Sequence, residues 1–286
     1  MTETHHEPLF ECVPNVSEGR DLAIVEACRA AIEAAGARVA HATSDAVHDR
    51  SVLTYFGDAA TIVRAAAGLA AVTTARIDLR SKRGAHPRIG ALDVLPVVPV
   101  AGATLAEAAR VARSCGIAIF ERCGVPSLFY GAAATSPARE QLPDVRRGEF
   151  EGLAARAAEG ERPDAGTSLS HPSAGTVAVG AREVLVAFNI VLASGDLALA
   201  RRIARTIRES GGGLRTLRAI GIALGPERVQ VSCNLTDYAA TPIPVVVRMV
   251  RALAAQAGVA VAGCETIGLI PRAALQAVVD EALFAP

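Results

Sequence analysis

The sequence has few aromatic residues and no net charge, and both deficits exclude classes of protein. Aromatic residues make up 3% of the 286 residues, tryptophan is absent, and 29 basic side chains balance 29 acidic ones. A balanced charge does not provide the broad positive surface that a phosphate backbone requires, so we expect no nucleic-acid partner. With 51% hydrophobic residues, the chain has the composition of a folded protein with a sizeable core.

Paired cysteines, a targeting segment and long hydrophobic runs are also missing. The six cysteines are dispersed, without a C-x-x-C pair or a metal-type spacing, and they predict reduced, mostly buried thiols. The N-terminal MTETHHEPLF has no basic region followed by an apolar one, and arginines interrupt the longest apolar runs. We therefore expect a cytoplasmic protein that does not interact with a membrane.

What the sequence does contain is the same order of elements in each half. Hydrophobic periodicity predicts strand, helix, strand, strand, helix, strand at 9–16, 20–35, 37–43, 50–57, 58–74 and 91–100. The second half predicts the same order at 183–192, 196–210, 214–224, 228–235, 242–257 and 259–271. This order is typical of a ferredoxin-like unit, whose sheet carries both helices on one face.

The duplication predicts a mixed α/β (α+β) fold with two ferredoxin-like lobes in tandem, residues 1–180 and 181–286. A helix at 104–122 and a strand at 126–131 follow the first repeat, and a Gly/Pro/Ser/Arg-rich connector with little regular structure is expected from about 135 to 179. Each sheet has one bare face. Packing these faces together, or against a second copy, is expected to leave a ligand cleft or tunnel.

His86 is the first candidate for chemistry. It lies between Gly84 and Gly90 and directly before Pro87, on a turn-prone segment that leads into a strand. The ordinary pKa of imidazole, near 6.5, suits proton transfer at neutral pH. The alternative is a histidine that only ends the loop before the strand.

The segment SDAVHDRS at 44–51 is the second candidate. Its aspartates, Asp45 among them, can orient a histidine or bind a cationic group, and Arg50 can bind a carboxylate. A solvated turn is an equally good interpretation. The spacing of His41, His48 and the aspartates matches no standard metal pattern, so no metal site is predicted.

Polar residues beside predicted strands complete the candidate site. In PNVSEGR and the aspartate that follows it, Ser17 is expected to cap the next helix, Asp21 or Glu18 to favour its start, and Asn15 is unexplained by capping. No nucleotide loop of the G-x-x-x-x-G-K or G-x-G-x-x-G type occurs. In the second half the polar groups are His171, Asn189 and Asn234, each of which has a structural alternative.

Taken in order, these strings resemble the glutamate formimidoyltransferases. The resemblance rests on ECVPNVSEGR, DRSVLTYFG, GAHPRIGALDVLPVVPV, HPSAGTVAVGAR and VQVSCNLTDY, among others, and extends from residue 10 to about 275. It implies two ferredoxin-like lobes with a folate tunnel between them, a homodimer, and a role in histidine catabolism and one-carbon metabolism. The implied reaction transfers a formimino group from N-formimino-L-glutamate to the co-substrate tetrahydrofolate.

The resemblance also implies roles for residues. His86 aligns with the catalytic histidine as general acid/base, whereas the catalytic aspartate falls on Thr43, so that Asp45 is expected to replace it. The expected substrate-binding residues are Asn15, Ser17, Glu18, Arg50, Arg88, Gly90, His171, Asn189 and Asn234.

Three alternative functions remain open from the sequence. One is an ATP-dependent 5-formyltetrahydrofolate cycloligase, and another is a protein that binds folate without catalysis. The third is a related transferase with another donor or acceptor, because family positions are altered at Thr43, Ala85, Ala132 and Ala165.

Overall fold

The computed structural model describes residues 7–46, 48–82 and 87–284. The chain divides into two compact units between Arg182 and Glu183. The two repeats of strands and helices predicted from the sequence fall on either side of this division. The mixed α/β class predicted from the sequence is confirmed.

The first unit is built on one mixed sheet. Its strands are β1 (Leu9–Cys12), β2 (Asn15–Val16), β3 (Arg38–Asp45), β4 (Arg50–Gly57), β5 (Leu92–Ala101), β6 (Ser127–Gly131) and β7 (Val177–Ala181). Its helices are α1 (Leu22–Ala34), α2 (Ala59–Arg76), α3 (Leu105–Cys123), α4 (Leu142–Val145) and α5 (Glu149–Ala158). The strands lie in the order β3, β4, β1 with β2, β5, β7, β6, in which β7 runs parallel to both of its neighbours and the other pairs are antiparallel.

Local capping determines where the long helices of this unit begin. The Asp21 carboxylate accepts from the Ala23 amide at the start of α1, and the Asp58 carboxylate accepts from the Thr61 amide at the start of α2. Ser17, expected to cap α1, does not do so. The chain passes through residues 18–20 before the helix begins, and Asp21 is the residue whose backbone and side chain have the capping geometry.

The helices α1, α2 and α3 cover one face of the sheet. Their apolar positions recur at helical spacing, as in Val25, Cys28 and Ile32 of α1, and they pack on inward residues such as Leu53 and Tyr55 of β4. Removing one such side chain to alanine costs about 2 to 5 kcal/mol in a typical core. This face therefore stabilises the strands that carry the site.

The connector contains more regular structure than the sequence predicted. A 3-10 turn at Pro137–Arg139 and the helices α4 and α5 occupy the segment expected to be irregular. Leu153 of α5 packs with residues of β5, β6 and β7 on the sheet face opposite α3. The Arg156 guanidinium of α5 donates to the Val145 carbonyl at 2.9 Å. Packing and this buried hydrogen bond stabilise α5, which was not predicted because the segment is rich in glycine and arginine.

The second unit contains a smaller sheet, in which the strands of the second repeat lie in the same order as those of the first repeat. Its strands are β8 (Val186–Leu192), β9 (Leu217–Ala223), β10 (Val229–Leu235) and β11 (Val261–Ile267), arranged antiparallel in the order β11, β8, β10, β9. Its helices are α6 (Leu197–Ile207), α7 (Ile243–Gln256) and α8 (Arg272–Phe284). Helices α6 and α7 pack on Phe188 and Ile190 of β8. In both units the first and third strands of the repeat are central.

Two further observations concern buried thiols and long helices. Four cysteines are buried, Cys123 is half-buried and Cys264 is exposed, all without disulfides. Within the described ranges, every helix is too short or too polar to cross a bilayer.

Candidate functional site

A tight turn between β3 and β4 forms one side of the site. Asp49 in this turn has a positive φ of 49° and is 5% exposed. Its carboxylate accepts from the Gly19 amide at 3.0 Å. A Cβ on Gly19 would lie 2.1 Å from the Asp45 carbonyl oxygen, so the close approach of the two segments requires glycine.

Asp49 belongs to a cluster of four charged side chains. Lys82 Nζ lies 2.5 Å from Glu18 Oε2 and 3.3 Å from both carboxylate oxygens of Asp49. Arg20 Nη1 lies 3.3 Å from Asp49 Oδ2. Two carboxylates and two cations balance, which allows Glu18 and Asp49 to be buried as ions.

Glu18 is held ionised by its hydrogen bonds. Burial raises the pKa of Glu18. The hydrogen bonds from Lys82 and from the amides of Asp21 and Arg20 lower this pKa by more than burial raises it, so the net shift is downward. Those amides lie 2.9 and 2.8 Å from Glu18 Oε1. Glu18 therefore precedes α1, its carboxylate accepts from two amides of the segment before the helix, and the same carboxylate binds Lys82.

Arg88 follows Lys82 in the sequence and contacts its backbone carbonyl. Its guanidinium donates to Glu151 at 2.9 Å and to the Lys82 carbonyl at 3.1 Å, and it lies 3.4 Å from Glu149. Its Nε is buried and has no hydrogen-bond partner among the described residues. Arg88 therefore retains a donor beyond those that its carboxylate partners use.

Gly90 and Ser17 hold this segment against the sheet. The Ser17 hydroxyl donates to the Gly90 carbonyl at 2.7 Å, and the Ser17 amide donates to the Ala91 carbonyl at 2.9 Å. A Cβ on Gly90 would lie 2.2 Å from the Thr176 carbonyl oxygen. The contacts of both residues are thus structural.

Asp93 is a buried carboxylate that sequence reasoning missed. It accepts from the Ile89 amide at 2.8 Å and forms an ion pair with Arg146. Burial raises its pKa, although Arg146 and the Ile89 amide act in the opposite direction. The same surroundings lower the pKa of Arg50, first through burial and then through repulsion by Arg146, while Asp93 and Asp45 oppose this shift.

These groups surround a small polar cavity of about 10 Å³, which has room for about one water molecule. The lining residues are Ser17, His48, Asp49, Arg50, Lys82, Arg88 and Asp93. Three cations and two carboxylates line this cavity, and the cations are of the kind that bind the carboxylate group of a ligand. Of the predicted residues, Ser17, Arg50 and Arg88 line the cavity, and Glu18, Asp45 and Gly90 contact residues that do.

His48 is one of four cavity-lining residues that were not among the predicted site residues, with Asp49, Lys82 and Asp93. Its Nδ1 lies 2.7 Å from Asp45 Oδ2, and its backbone amide donates to Asp45 Oδ1 at 2.9 Å. The density of acidic residues around it in SDAVHDRS was the available signal. Lys82 and Asp93 carried no comparable signal, because their roles depend on distant partners.

Two predicted residues of the first unit have local roles. The Asn15 amide lies on β2 and donates to the Val13 carbonyl at 3.4 Å. His171 Nδ1 accepts from the Ala174 amide at 3.1 Å within a turn whose Gly175 pairs with Gly90. His171 therefore supports the segment that holds Gly90.

Asn189 and Asn234 lie on one face of the second unit's sheet, opposite α6 and α7. Asn189 is directly across from Ser232, and Asn234 is across from Ala187, so both side chains point to the same face. Asn189 is 7% exposed and donates to Glu265 at 3.4 Å, whereas Asn234 is exposed.

His86, the predicted general acid/base, lies outside the described residues.

Comparison with known proteins agrees with this organisation. The model of the formiminotransferase domain, N-terminal subdomain, matches residues 9–182, and the formiminotransferase domain model matches residues 187–284. A glutamate formimidoyltransferase of Streptococcus pyogenes is 38% identical over 93% of this chain and 90% of its own length. One from Thermoplasma acidophilum is 37% identical over 96% of this chain and 91% of its own length.

Longer relatives match as well. The formimidoyltransferase-cyclodeaminase of Rattus norvegicus is 37% identical over 96% of this chain, which spans 52% of that protein. Because the two family models together cover both units almost completely, the chain belongs to the formiminotransferase domain family.

Proposed function

We propose that this protein transfers the formimino group of N-formimino-L-glutamate to N5 of tetrahydrofolate, which gives 5-formimino-tetrahydrofolate and glutamate. The observation that carries the proposal is the similarity to the Streptococcus pyogenes glutamate formimidoyltransferase over nearly the full length of both chains. Tetrahydrofolate is the co-substrate. None of the relatives named above is a cycloligase, so the ligase alternative has no support.

The chemistry needs a group that moves protons at near-neutral pH. N5 of the folate attacks the amidinium carbon and loses its proton, and the glutamate nitrogen gains a proton as it leaves. His86 is the proposed general acid/base. Lys82 and Arg88, which precede and follow it in the sequence, line the cavity.

The cavity wall supports a dicarboxylate donor. Arg50 and Arg88 are proposed to bind glutamate carboxylates, because a guanidinium matches a carboxylate with two parallel hydrogen bonds. The Nε of Arg88, for which the described part of the chain offers no hydrogen-bond partner, favours this role. Asp45, which holds the ring of His48, is the proposed carboxylate of the catalytic site.

The remaining predicted residues are assigned more indirect roles. Ser17, Glu18 and Gly90 shape the cavity, and His171 supports Gly90 through its turn. Asn15, Asn189 and Asn234 are kept as folate-binding candidates. Cytoplasmic location and a homodimer are proposed from the family resemblance, and light scattering of the purified protein tests the dimer.

The direct test is a spectroscopic assay of the purified full chain. With both substrates, we expect 5-formimino-tetrahydrofolate, which acid converts to the absorbing 5,10-methenyl form. The control reaction contains 5-formyl-tetrahydrofolate with ATP and is expected to give no product. Absence of product with both true substrates, from protein that is folded by circular dichroism, contradicts the proposal.

A further inference from the structure

The C-terminal segment of the second unit concentrates the exposed apolar surface of this protein. Of the twelve large hydrophobic side chains that the described residues expose, six lie between residues 267 and 283. They are Ile267, Leu269, Leu275, Val278, Val279 and Leu283. Soluble proteins seldom leave apolar side chains clustered in this way, and such a cluster usually marks an interaction surface.

Helix α8 turns its small side chains inward and its large ones outward. Ala274 is buried and packs with the core of the second unit, and Ala277 is half-buried. Glu281, on the same inward side, forms an ion pair with Arg248 of α7. These contacts fix the rotation of α8 about its own axis, so the fold itself directs the large apolar side chains away from the core.

Two adjoining rows of residues run along the exposed side of α8. Residues four positions apart share one side of a helix, and the apolar row contains Leu275, Val279 and Leu283. Three positions earlier in each case, the polar row contains Arg272, Gln276 and Asp280. The Gln276 side chain donates to the Asp280 carboxylate at 2.8 Å. The polar row thus begins with a cation and ends with a carboxylate.

This order of charges is unfavourable for a helix on its own. The start of a helix carries a partial positive charge and its end a partial negative one, so acidic residues belong in the first turn and basic ones in the last. Helix α8 has neither. An antiparallel copy of the same helix would place its acidic end beside Arg272 and its basic end beside Asp280. A parallel copy would instead bring like charges together.

We propose that the two rows of α8 bind α8 of a second copy of this chain, antiparallel, about a two-fold axis at Gln276. Arg272 and Asp280 lie four residues on either side of Gln276, and Leu269 and Leu283 lie seven on either side. This axis therefore faces Arg272 with the partner's Asp280 and brings Leu283 toward the partner's Leu269. The inference gives the homodimer proposed above its contact surface and does not depend on the proposed activity.

A lipid surface fits α8 less well than a second copy does. Amphipathic helices that lie on bilayers carry lysine and arginine on their polar side, where these residues meet anionic headgroups. The charged residues of α8 are Arg272, Asp280 and Glu281, so the net charge of this helix is negative. Sedimentation of the full chain with phosphatidylserine vesicles tests this alternative, and binding that Val279→Glu abolishes would overturn the proposal.

Val279→Glu tests the surface in the full chain. We expect sedimentation velocity at micromolar concentrations to show a wild-type dimer and a variant whose dimer dissociates roughly 100-fold more readily, because two carboxylates enter the apolar contact. Glutamate is a better helix former than valine, so α8 is retained. Ile117→Glu is the matched control, since it adds the same charge at an exposed position of α3 and should leave the dimer intact.

A charge exchange tests the antiparallel orientation. Arg272→Glu and Asp280→Arg each place like charges opposite one another, and each should weaken the dimer roughly tenfold. The double variant restores opposite charges and should regain most of the wild-type affinity. Circular dichroism identifies a variant that fails to fold, and Leu283→Glu, near the end of α8, then replaces Val279→Glu.

Three results would overturn the docking surface. They are a monomeric wild type, equal dissociation of Val279→Glu and Ile117→Glu, and losses that add in the charge-exchange double variant. The oligomeric state is measured without substrates. A protein that dimerises as expected but transfers no formimino group therefore contradicts the proposed function and leaves this surface standing.

Discussion

Lys82 Nζ lies 2.5 Å from Glu18 Oε2, across 64 residues of sequence, in an ion pair whose carboxylate side chain is 4% exposed. Lys82 is the only lysine in the sequence. Its ammonium also contacts Asp49, so one side chain neutralises two carboxylates from different segments. The pair connects the start of α1 to the chain that leads toward His86.

Replacing Lys82 should destabilise the first unit. Lys82→Met leaves Glu18 and Asp49 buried with less compensation, and loss of one partner from a buried pair costs roughly 3 to 5 kcal/mol. Urea denaturation measures this loss. Arg80→Met is the matched control, because Arg80 pairs with Asp78 on the surface, and an equal loss in both variants contradicts the prediction.

The amine of Lys82 should resist chemical modification in the folded state. Reductive methylation is expected to label Lys82 slowly in the native chain and quickly after unfolding in urea. Mass spectrometry of peptides gives the two rates. Equal rates in the native and the unfolded protein would show that the ion pair does not protect Lys82.

Acid should weaken the fold partly through Glu18. Its folded-state pKa is lowered, so Glu18 adds stability above its ordinary pKa of about 4.3, and this contribution is lost as the pH falls through the folded-state value. Glu18→Gln should therefore show a shallower loss of stability below about pH 5 than wild type. Urea midpoints between pH 3 and 7 measure both slopes, and parallel curves would refute this assignment.

Gly90 should not accept a side chain. In Gly90→Ala the new Cβ would lie 2.2 Å from the Thr176 carbonyl oxygen, and the backbone shift needed to relieve this contact should cost roughly 1 to 3 kcal/mol. Gly263→Ala is the control, since nothing lies within 4 Å of a Cβ there. Thermal unfolding that gives the same midpoint for both variants contradicts the prediction.

Arg88 should be replaceable only at a cost in donor binding. Arg88→Lys removes Nε and the planar guanidinium, and we expect KM for N-formimino-L-glutamate to rise roughly 10- to 100-fold, because a hydrogen bond to a charged group is worth about 1.5 to 3 kcal/mol. The control Arg80→Lys should leave KM unchanged. A fall in kcat with KM unaltered would contradict donor binding by Arg88.

The sequence predicted the elements whose causes are local. Helix α2 begins where Asp58 caps it, and α3 begins at a capping box formed by Thr104 and Glu107, both within four residues of the groups they satisfy. The repeated alternation of strands and helices was therefore visible in the chain. Helix α5 was not, because Leu153 is buried against distant strands and Arg156 is bound by the Val145 carbonyl and the Glu161 carboxylate.

The candidate site divides in the same way. Composition and motif strings determined the fold class, the family resemblance and the chemical character of Asp45, Arg50 and Arg88. Only the tertiary structure decided that Lys82 neutralises Glu18 and Asp49, that Asp93 is buried beside Arg146, and that His48 lines the cavity. Sheet register and long-range ion pairs bring these residues together, and such contacts leave no periodic signal in the sequence.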